Sequence, residues 1–177
     1  MGLGRIIPAL LAGLAIFGFA LLSRPAEAQG RVDGFAARLL QAHNLERDRA
    51  GAARLRWSNR LAQDASGWAA ALARKGRLEH ASGEQRHGMG ENLWMGTAGY
   101  YSAEDMIGGF VAERDKFRAG TFPQVSRTGN WADVGHYTQL IWPGTQEVGC
   151  AVAKGAGNDV LVCRYFPAGN IVGEKIG

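Results

Sequence analysis

Cysteine is scarce in this chain of 177 residues, which contains only Cys150 and Cys163. Their spacing does not match the Cys-x-x-Cys of metal and redox motifs, so a reactive thiol pair is not expected. An even count predicts one structural disulfide if the chain folds outside the cytoplasm. Closing a loop of this length contributes on the order of 3 kcal/mol in the chain-entropy model.

Dense runs of basic residues are also missing. Lys and Arg total 20 against 16 Asp and Glu, and the resulting formal net charge of +4 is dispersed along the chain. A surface that follows phosphates needs clustered cations, so nucleic acid is excluded as an expected partner. The sequence has no internal repeat and no low-complexity tract.

Only one apolar run is long enough to approach a membrane span, and it lies at residues 6–22 after a basic Arg5. The small-x-small sequence Ala26-Glu27-Ala28 follows it, which predicts a signal peptide over residues 1–28 with cleavage after Ala28. A retained membrane anchor is the alternative, because the run is near the lower limit of roughly 17 to 25 apolar residues that span a bilayer.

Cleavage leaves residues 29–177, about 149 residues, as a single domain in a secreted, periplasmic or extracellular location. A chain of that length buries roughly 70% of its unfolded surface. No transmembrane segment remains after cleavage. We expect a monomer.

Helical periodicity dominates the first half of this domain and predicts helices over residues 35–49, 58–75 and 102–117, with Ser58 and Ser102 as N-caps. β-favouring residues dominate the last third and predict strands over residues 137–142, 147–153 and 160–166, the last two joined as a hairpin. Helices followed by an antiparallel sheet predict an α+β domain.

Four residues are candidates for chemistry. His80 and Glu91 lie in a predicted loop over residues 78–101, Glu113 lies on the third predicted helix, and His136 begins a predicted strand. Two imidazoles and two carboxylates suit a divalent-metal site and also acid–base catalysis. No His-x-x-x-His accompanies them, so spacing alone leaves four unrelated surface residues as an alternative.

Five short segments share one known pattern in chain order: AHN at 42–44 with Arg47, LRW at 55–57, GENL at 90–93, GHYTQLIW at 135–142 and CRYFPAGN at 163–170. Together they resemble the motifs of the CAP superfamily, which contains cysteine-rich secretory proteins, antigen 5 proteins and pathogenesis-related 1 proteins and is also known as the SCP domain. The resemblance extends from about residue 39 to residue 173.

The resemblance implies a three-layer α-β-α sandwich with an antiparallel sheet, and a large cleft that presents two His and two Glu. Matched position by position, these are His80, Glu91, Glu113 and His136. His87 competes with His80 for the first position, because it lies only four residues before Glu91.

In such a cleft His80 and His136 would bind a divalent metal, zinc above all, while the carboxylates complete or orient the shell. A hydrogen-bonded His/Glu network without metal is the alternative. His43 and Asn44 are expected to be packing or loop-bridging groups, and Asn92 is expected to satisfy backbone groups of its own loop.

Three functions are compatible with these residues and with the resemblance. The first is a non-enzymatic binding module for an unknown small ligand, a lipid or an extracellular surface. The second is a metal- or His-assisted hydrolase of a protease-like kind with Glu91 or Glu113 as general base, although no nucleophile elbow or His-Glu-x-x-His helix is present. The third is a sterol or fatty-acid binder that uses an apolar patch of Phe117, Phe122 and Trp131.

Overall fold

The computed structural model describes residues 1–2 and 34–177, so the predicted signal peptide from residue 3 onward and its cleavage site lie outside the described residues. Within residues 34–177 the α-helices are α1 (Gly34–Arg49), α2 (Asn59–Lys75), α3 (Gly83–Arg86), α4 (Ala103–Val111) and α5 (Gly135–Ile141). The strands are β1 (Arg56–Trp57), β2 (Gly90–Thr97), β3 (Gly120–Thr121), β4 (Glu147–Gly155), β5 (Asn158–Phe166) and β6 (Lys175–Ile176). Across that part of the chain, no helix combines the length and the apolar character needed to cross a membrane.

The main sheet has the strand order β1-β4-β5-β2. Its β4/β5 and β5/β2 pairs are antiparallel, and the two-residue strand β1 runs parallel to β4. The turn of the β4–β5 hairpin places Ala156 and Gly157 at φ of 50° and 79°. Two consecutive positive φ angles match the right-handed twist of the flanking strands, and the predicted hairpin is confirmed.

Helix α2 covers one face of this sheet. Its buried stripe packs on alternate residues of β2 and β5, and this layer of the core contains Ala65, Ala69, Leu72, Leu93, Val160 and Val162. The helix approaches β4 so closely that a Cβ at Gly149 would lie 2.3 Å from the backbone nitrogen of Ala62. Only glycine fits at that crossing.

Helices α1, α4 and α5 cover the opposite face. Their shared core includes Leu39, Met106, Phe110, Leu140, Leu161 and Tyr165. The predicted disulfide is confirmed within this layer, where Cys150 and Cys163 lie directly opposite each other on β4 and β5. The three layers confirm the predicted α+β sandwich with its largely antiparallel sheet.

The strand predicted over residues 137–142 is wrong, because this segment forms helix α5. Every residue of Tyr137–Ile141 is buried, including the polar Thr138 and Gln139, so no exposed polar face marks a helical period in this segment. Packing overrides the β propensity of its aromatic and β-branched residues. His136 therefore lies in the first turn of a helix, and the disulfide braces two strands of which neither neighbours a strand beginning at His136.

The loop predicted over residues 78–101 is also partly wrong, because it contains α3 and the edge strand β2. Glu91 and Asn92 are polar but buried. Glu91 pairs with Arg164 on one face of the sheet, and Asn92 contacts Tyr165 on the other face. Because both residues are polar, the sequence lacks the apolar pattern that predicts a strand at this position. The helix predicted to reach residue 117 stays α-helical only to Val111 and continues as a 3-10 helix over Ala112–Lys116.

Candidate functional site

An open cleft of about 720 Å³ lies where the start of β2 approaches the first turn of α5. Both His80 and His136 line it, and among the lining residues that the structure describes Glu91 is the one acidic residue. A close approach of backbone and side chain shapes its floor, because a Cβ at Gly90 would lie 2.0 Å from Oε1 of Gln139. The structure therefore brings both candidate histidines to one cavity.

Glu113 holds His136 in place from the 3-10 helix that follows α4. Its Oε1 lies 2.6 Å from Nδ1 of His136, and its Oε2 accepts the backbone N–H groups of His136 and Tyr137 at 2.9 and 3.0 Å. The carboxylate thus caps a helix that has no N-cap side chain of its own. The imidazole also stacks on Phe110 at 5.2 Å. With Nδ1 occupied, Nε2 is the nitrogen that can meet a ligand.

Glu91 holds His80 in a parallel way. Its Oε1 lies 2.6 Å from Nδ1 of His80 and also accepts the backbone N–H of Ala81 at 3.1 Å. The Glu91 side chain is fully buried, whereas that of His80 is 59% exposed. Here too the carboxylate leaves Nε2 of the imidazole for a ligand.

The remaining oxygen of Glu91 forms an ion pair with Nη1 of Arg164, whose side chain is 2% exposed. The Nε of Arg164 donates to Asp64 on α2 at 2.7 Å. Sequence reasoning missed this chain of Asp64, Arg164, Glu91 and His80. The available signal was Arg164 itself, the one charge in the predicted strand over residues 160–166, since such a charge is rarely buried unless it is paired.

A second buried hydrogen-bond network contacts the backbone carbonyl of His136. The Asn92 amide donates to the carbonyl of His136 at 2.9 Å and to the hydroxyl of Tyr165 at 3.2 Å. The Tyr165 hydroxyl donates to Nε2 of His43 at 2.8 Å, and Nδ1–H of His43 donates to the carbonyl of Leu39, also at 2.8 Å. Asn92 therefore reaches another helix, whereas the sequence predicted contacts within its own loop.

Desolvation in this network favours neutral forms. Burial lowers the pKa of His43 to about 4 and raises the pKa of Tyr165 well above its ordinary value. A neutral His43 suits its contacts, because Nε2 must accept from Tyr165 while Nδ1–H donates to Leu39. His43 is thus a packing group, as predicted, with a fixed tautomer.

These contacts determine which atoms of the cleft could bind a metal ion. Imidazoles whose second nitrogen is held by a carboxylate are the usual form of histidine ligands. Among the described residues, no three of His80, Glu91, Glu113 and His136 bring ligand atoms within 4.8 Å of one another. Both oxygens of each glutamate already accept hydrogen bonds, so the carboxylates orient the rings. A cation would have two imidazole ligands, and water or a bound ligand would complete its shell.

Within residues 34–177 the ligand atoms of His43, Cys150 and Cys163 do lie within 4.8 Å of one another. The two sulfurs form the disulfide and offer no thiolate, and His43 already uses both ring nitrogens. This group does not hold a cation in the oxidised protein.

The other sequence candidates occupy distinct positions. His87 is exposed and ends α3 in a left-handed conformation, and it is His80 that contacts Glu91. Phe122 is buried and Trp131 is 46% exposed, and both line the cleft with ring centroids 5.4 Å apart. Phe117 packs on Tyr137 and is not among the lining residues.

Comparison with known proteins identifies relatives over most of the chain. Residues 40–165 match the family model described as CAP, the cysteine-rich secretory protein family. Pathogenesis-related protein PRMS of Zea mays is 33% identical over 139 residues, which cover 77% of this chain and 78% of that protein. Human Golgi-associated plant pathogenesis-related protein 1 is 32% identical, with 77% and 84% covered.

Solved structures show the same fold. The crystal structure of NaASP2 with Zn²⁺ superposes with a TM-score of 0.67 at 24% identity and covers 84% of this chain and 87% of that one. The structure of BmVAL-1 superposes with a TM-score of 0.66 at 22% identity, with 84% of each chain covered.

Proposed function

Because this chain belongs to the CAP family of cysteine-rich secretory proteins, we propose that it is an exported, non-enzymatic binding module whose cleft takes a divalent cation on His80 and His136. The supporting observation is that both imidazoles line one cavity and each has Nδ1 held at 2.6 Å by a glutamate. This pairing leaves a nitrogen of each ring for a ligand and fixes the tautomer.

Zinc is the cation that this donor set favours, since neutral imidazole nitrogen is among its preferred ligands. A related fold, NaASP2, has been solved with Zn²⁺, as the description of its structure states. With two protein ligands, a bound zinc ion would keep positions open, and its chemistry there would be to attach an external ligand as a Lewis acid.

Export rests on two features. Residues 1–28 have the composition of a signal peptide, which would leave residues 29–177 as the mature domain. The Cys150–Cys163 disulfide also suits an oxidising compartment, where such bonds persist.

Zinc titration of the purified secreted protein by calorimetry tests the proposal. His80→Ala and His136→Ala should each weaken zinc binding at least tenfold, about the effect expected for loss of a ligand or its support, and the double variant should bind none. His87→Ala is the matched control and should bind as the wild type does. A wild-type protein that ignores zinc, or a double variant that still binds it, would refute the proposed cation site.

A hydrolase has less support from the geometry. General-base catalysis by Glu91 or Glu113 needs a carboxylate oxygen free to take a proton, whereas both oxygens of each residue accept hydrogen bonds. Turnover of a peptide or ester library that is lost in Glu91→Gln would favour the hydrolase over the binding module.

A lipid-binding function is favoured by one observation, the apolar wall of Phe122 and Trp131 within the same cleft. Binding of labelled sterol or fatty acid that falls in Trp131→Ala would support it. Uptake that survives this change would show that the wall has no part in lipid binding.

A further inference from the structure

We infer that the ligand of the cleft is a small organic anion, a carboxylate joined to a flat apolar body, with Arg86 at its anionic end and Trp131 at its apolar end. This inference rests on the proposed function in placing the ligand in this cleft. Arg86 attracts an anion with or without a bound cation, whereas the histidines contribute only through a cation on their Nε2 atoms, because an Nε2 without a proton accepts hydrogen bonds.

The Arg86 guanidinium favours an anion in the cleft. Arg86 lines the cavity, and its Nε donates to the carbonyl of Ala81 at 3.1 Å. Across residues 34–177 no carboxylate lies within ion-pair distance of Arg86. Glu91, the acidic lining residue, is already paired with the buried Arg164. Arg164 is shared with Asp64, and the Glu113 carboxylate is held by His136 and two backbone N–H groups, so the Arg86 guanidinium is the group that attracts an anion; a cation on the histidines would add to that attraction.

The chemistry of Arg86 indicates a carboxylate. Ala81 fixes one edge of the guanidinium, which leaves its terminal N–H groups as a planar fork that matches two carboxylate oxygens. A phosphate needs more donors, and those nearby are used, because the backbone N–H of His136 donates to Glu113 and that of Gly169 donates to Gln139. A monoanion with two oxygens suits the remaining donors better.

The apolar end of the cleft begins next to the imidazole. The Trp131 ring lies 3.2 Å from the Cβ position of Gly135, the residue before His136, and packs edge-on against Phe122. The apolar side chains of Pro123 and Val172 line the same cavity. A flat apolar body can stack there while its carboxylate reaches Arg86, and about 720 Å³ is an ordinary volume for a small-molecule site.

Calorimetry with 4-phenylbutyrate and its neutral isostere 4-phenyl-1-butanol, with and without zinc, tests this assignment. The carboxylate should bind at least tenfold more tightly than the alcohol, and Arg86→Gln should remove that preference. Trp131→Ala should weaken both probes to a similar extent, about fivefold to tenfold, since stacking does not depend on charge. Arg74→Gln, which removes an exposed charge on α2, is the control and should change neither.

The outcomes separate this inference from the proposed function. Equal binding of acid and alcohol, a preference that survives Arg86→Gln, or tighter binding of 4-phenylbutyl phosphate would overturn the carboxylate assignment, even if zinc binds to His80 and His136. Carboxylate binding that depends on Arg86 in a protein that ignores zinc would uphold the inference and reject the cation site.

Discussion

Glu91 and Arg164 lie directly opposite each other on β2 and β5 and form an ion pair in which both side chains are almost fully buried. The pair does two things at once. It anchors the edge strand to α2 through Asp64, and it fixes the carboxylate that orients His80. Fold stability and site geometry therefore depend on the same contact.

Replacing Arg164 by Met should destabilise the protein by about 3 to 5 kcal/mol, because Glu91 is left as a buried charge without its cation. Urea unfolding measures the change. Asp64→Asn removes the partly exposed end of the chain of contacts and should cost less, about 1 kcal/mol. Adding Glu91→Gln to Arg164→Met should recover part of the loss; a double variant less stable than Arg164→Met alone would contradict this account.

His43 should make stability fall in acid. Its pKa is lowered to about 4 in the folded protein, below the ordinary value of about 6.5, so the unfolded chain binds the proton more readily. Its contribution is complete above pH 6.5 and is lost as the pH falls from 6.5 to 4. Between pH 7 and pH 5 the loss from this residue should be about 2 kcal/mol.

His43→Gln isolates that contribution. The variant should be less stable than the wild type at pH 7, because the contacts with Leu39 and Tyr165 are disturbed. Its free energy of unfolding should nevertheless fall less steeply between pH 7 and pH 5. Parallel pH profiles for the two proteins would show that His43 is not the group responsible.

Glu113→Gln should lower zinc affinity by 10- to 100-fold, the usual effect of losing a carboxylate behind a histidine ligand. The amide cannot accept from Nδ1 of His136 and from both backbone N–H groups without turning its NH₂ toward a donor. Calorimetry at fixed pH measures the change. Glu104→Gln, a surface carboxylate paired with Arg38, should leave the affinity unaltered.

Gly90→Ala should destabilise the cleft floor by about 1 to 3 kcal/mol, since its Cβ would overlap the buried side chain of Gln139. Displacing Gln139 also removes its contact with the backbone N–H of Gly169. Gly83→Ala meets no atom within 4 Å and serves as the control, with no loss expected. Equal unfolding midpoints for the two variants would show that Gln139 moves aside at no cost.

Removing the disulfide by the double change Cys150→Ala and Cys163→Ala should cost about 3 kcal/mol, given its sequence separation of 13 residues. Amide hydrogen exchange should show faster exchange first in β4 and β5, the strands that it joins, with α2 affected later. Uniform acceleration throughout the domain would indicate that the bond stabilises the whole fold as one unit.

The sequence predicted those parts of the fold whose signals are local. Ser102 caps its helix through a reciprocal contact with Asp105, and Gly76 ends α2 in a left-handed conformation, as residues of these types predict. The β4–β5 hairpin was visible for the same reason, because its turn residues and strand composition are adjacent in the chain.

Features that depend on tertiary partners were not predicted. Residues Tyr137–Ile141 of helix α5 are all buried, so this segment shows no exposed polar face, and β2 carries polar residues whose partners come from distant elements. The candidate site also depends on contacts between residues that are distant in the sequence. The four His and Glu candidates came from motifs, but Arg164, Asp64 and Gln139 act through contacts that no spacing in the sequence encodes.

The two histidines are held by different layers of the sandwich. His80 is held through Glu91 and Arg164 from the α2 side, whereas His136 belongs to α5 on the opposite side of the sheet. A ligand or cation that binds both imidazole rings therefore connects the two outer layers of the sandwich across the end of the sheet. Ligand binding in the cleft would then make the domain more rigid far from the cleft as well. The thermal unfolding midpoint of the whole domain would rise with the ligand concentration.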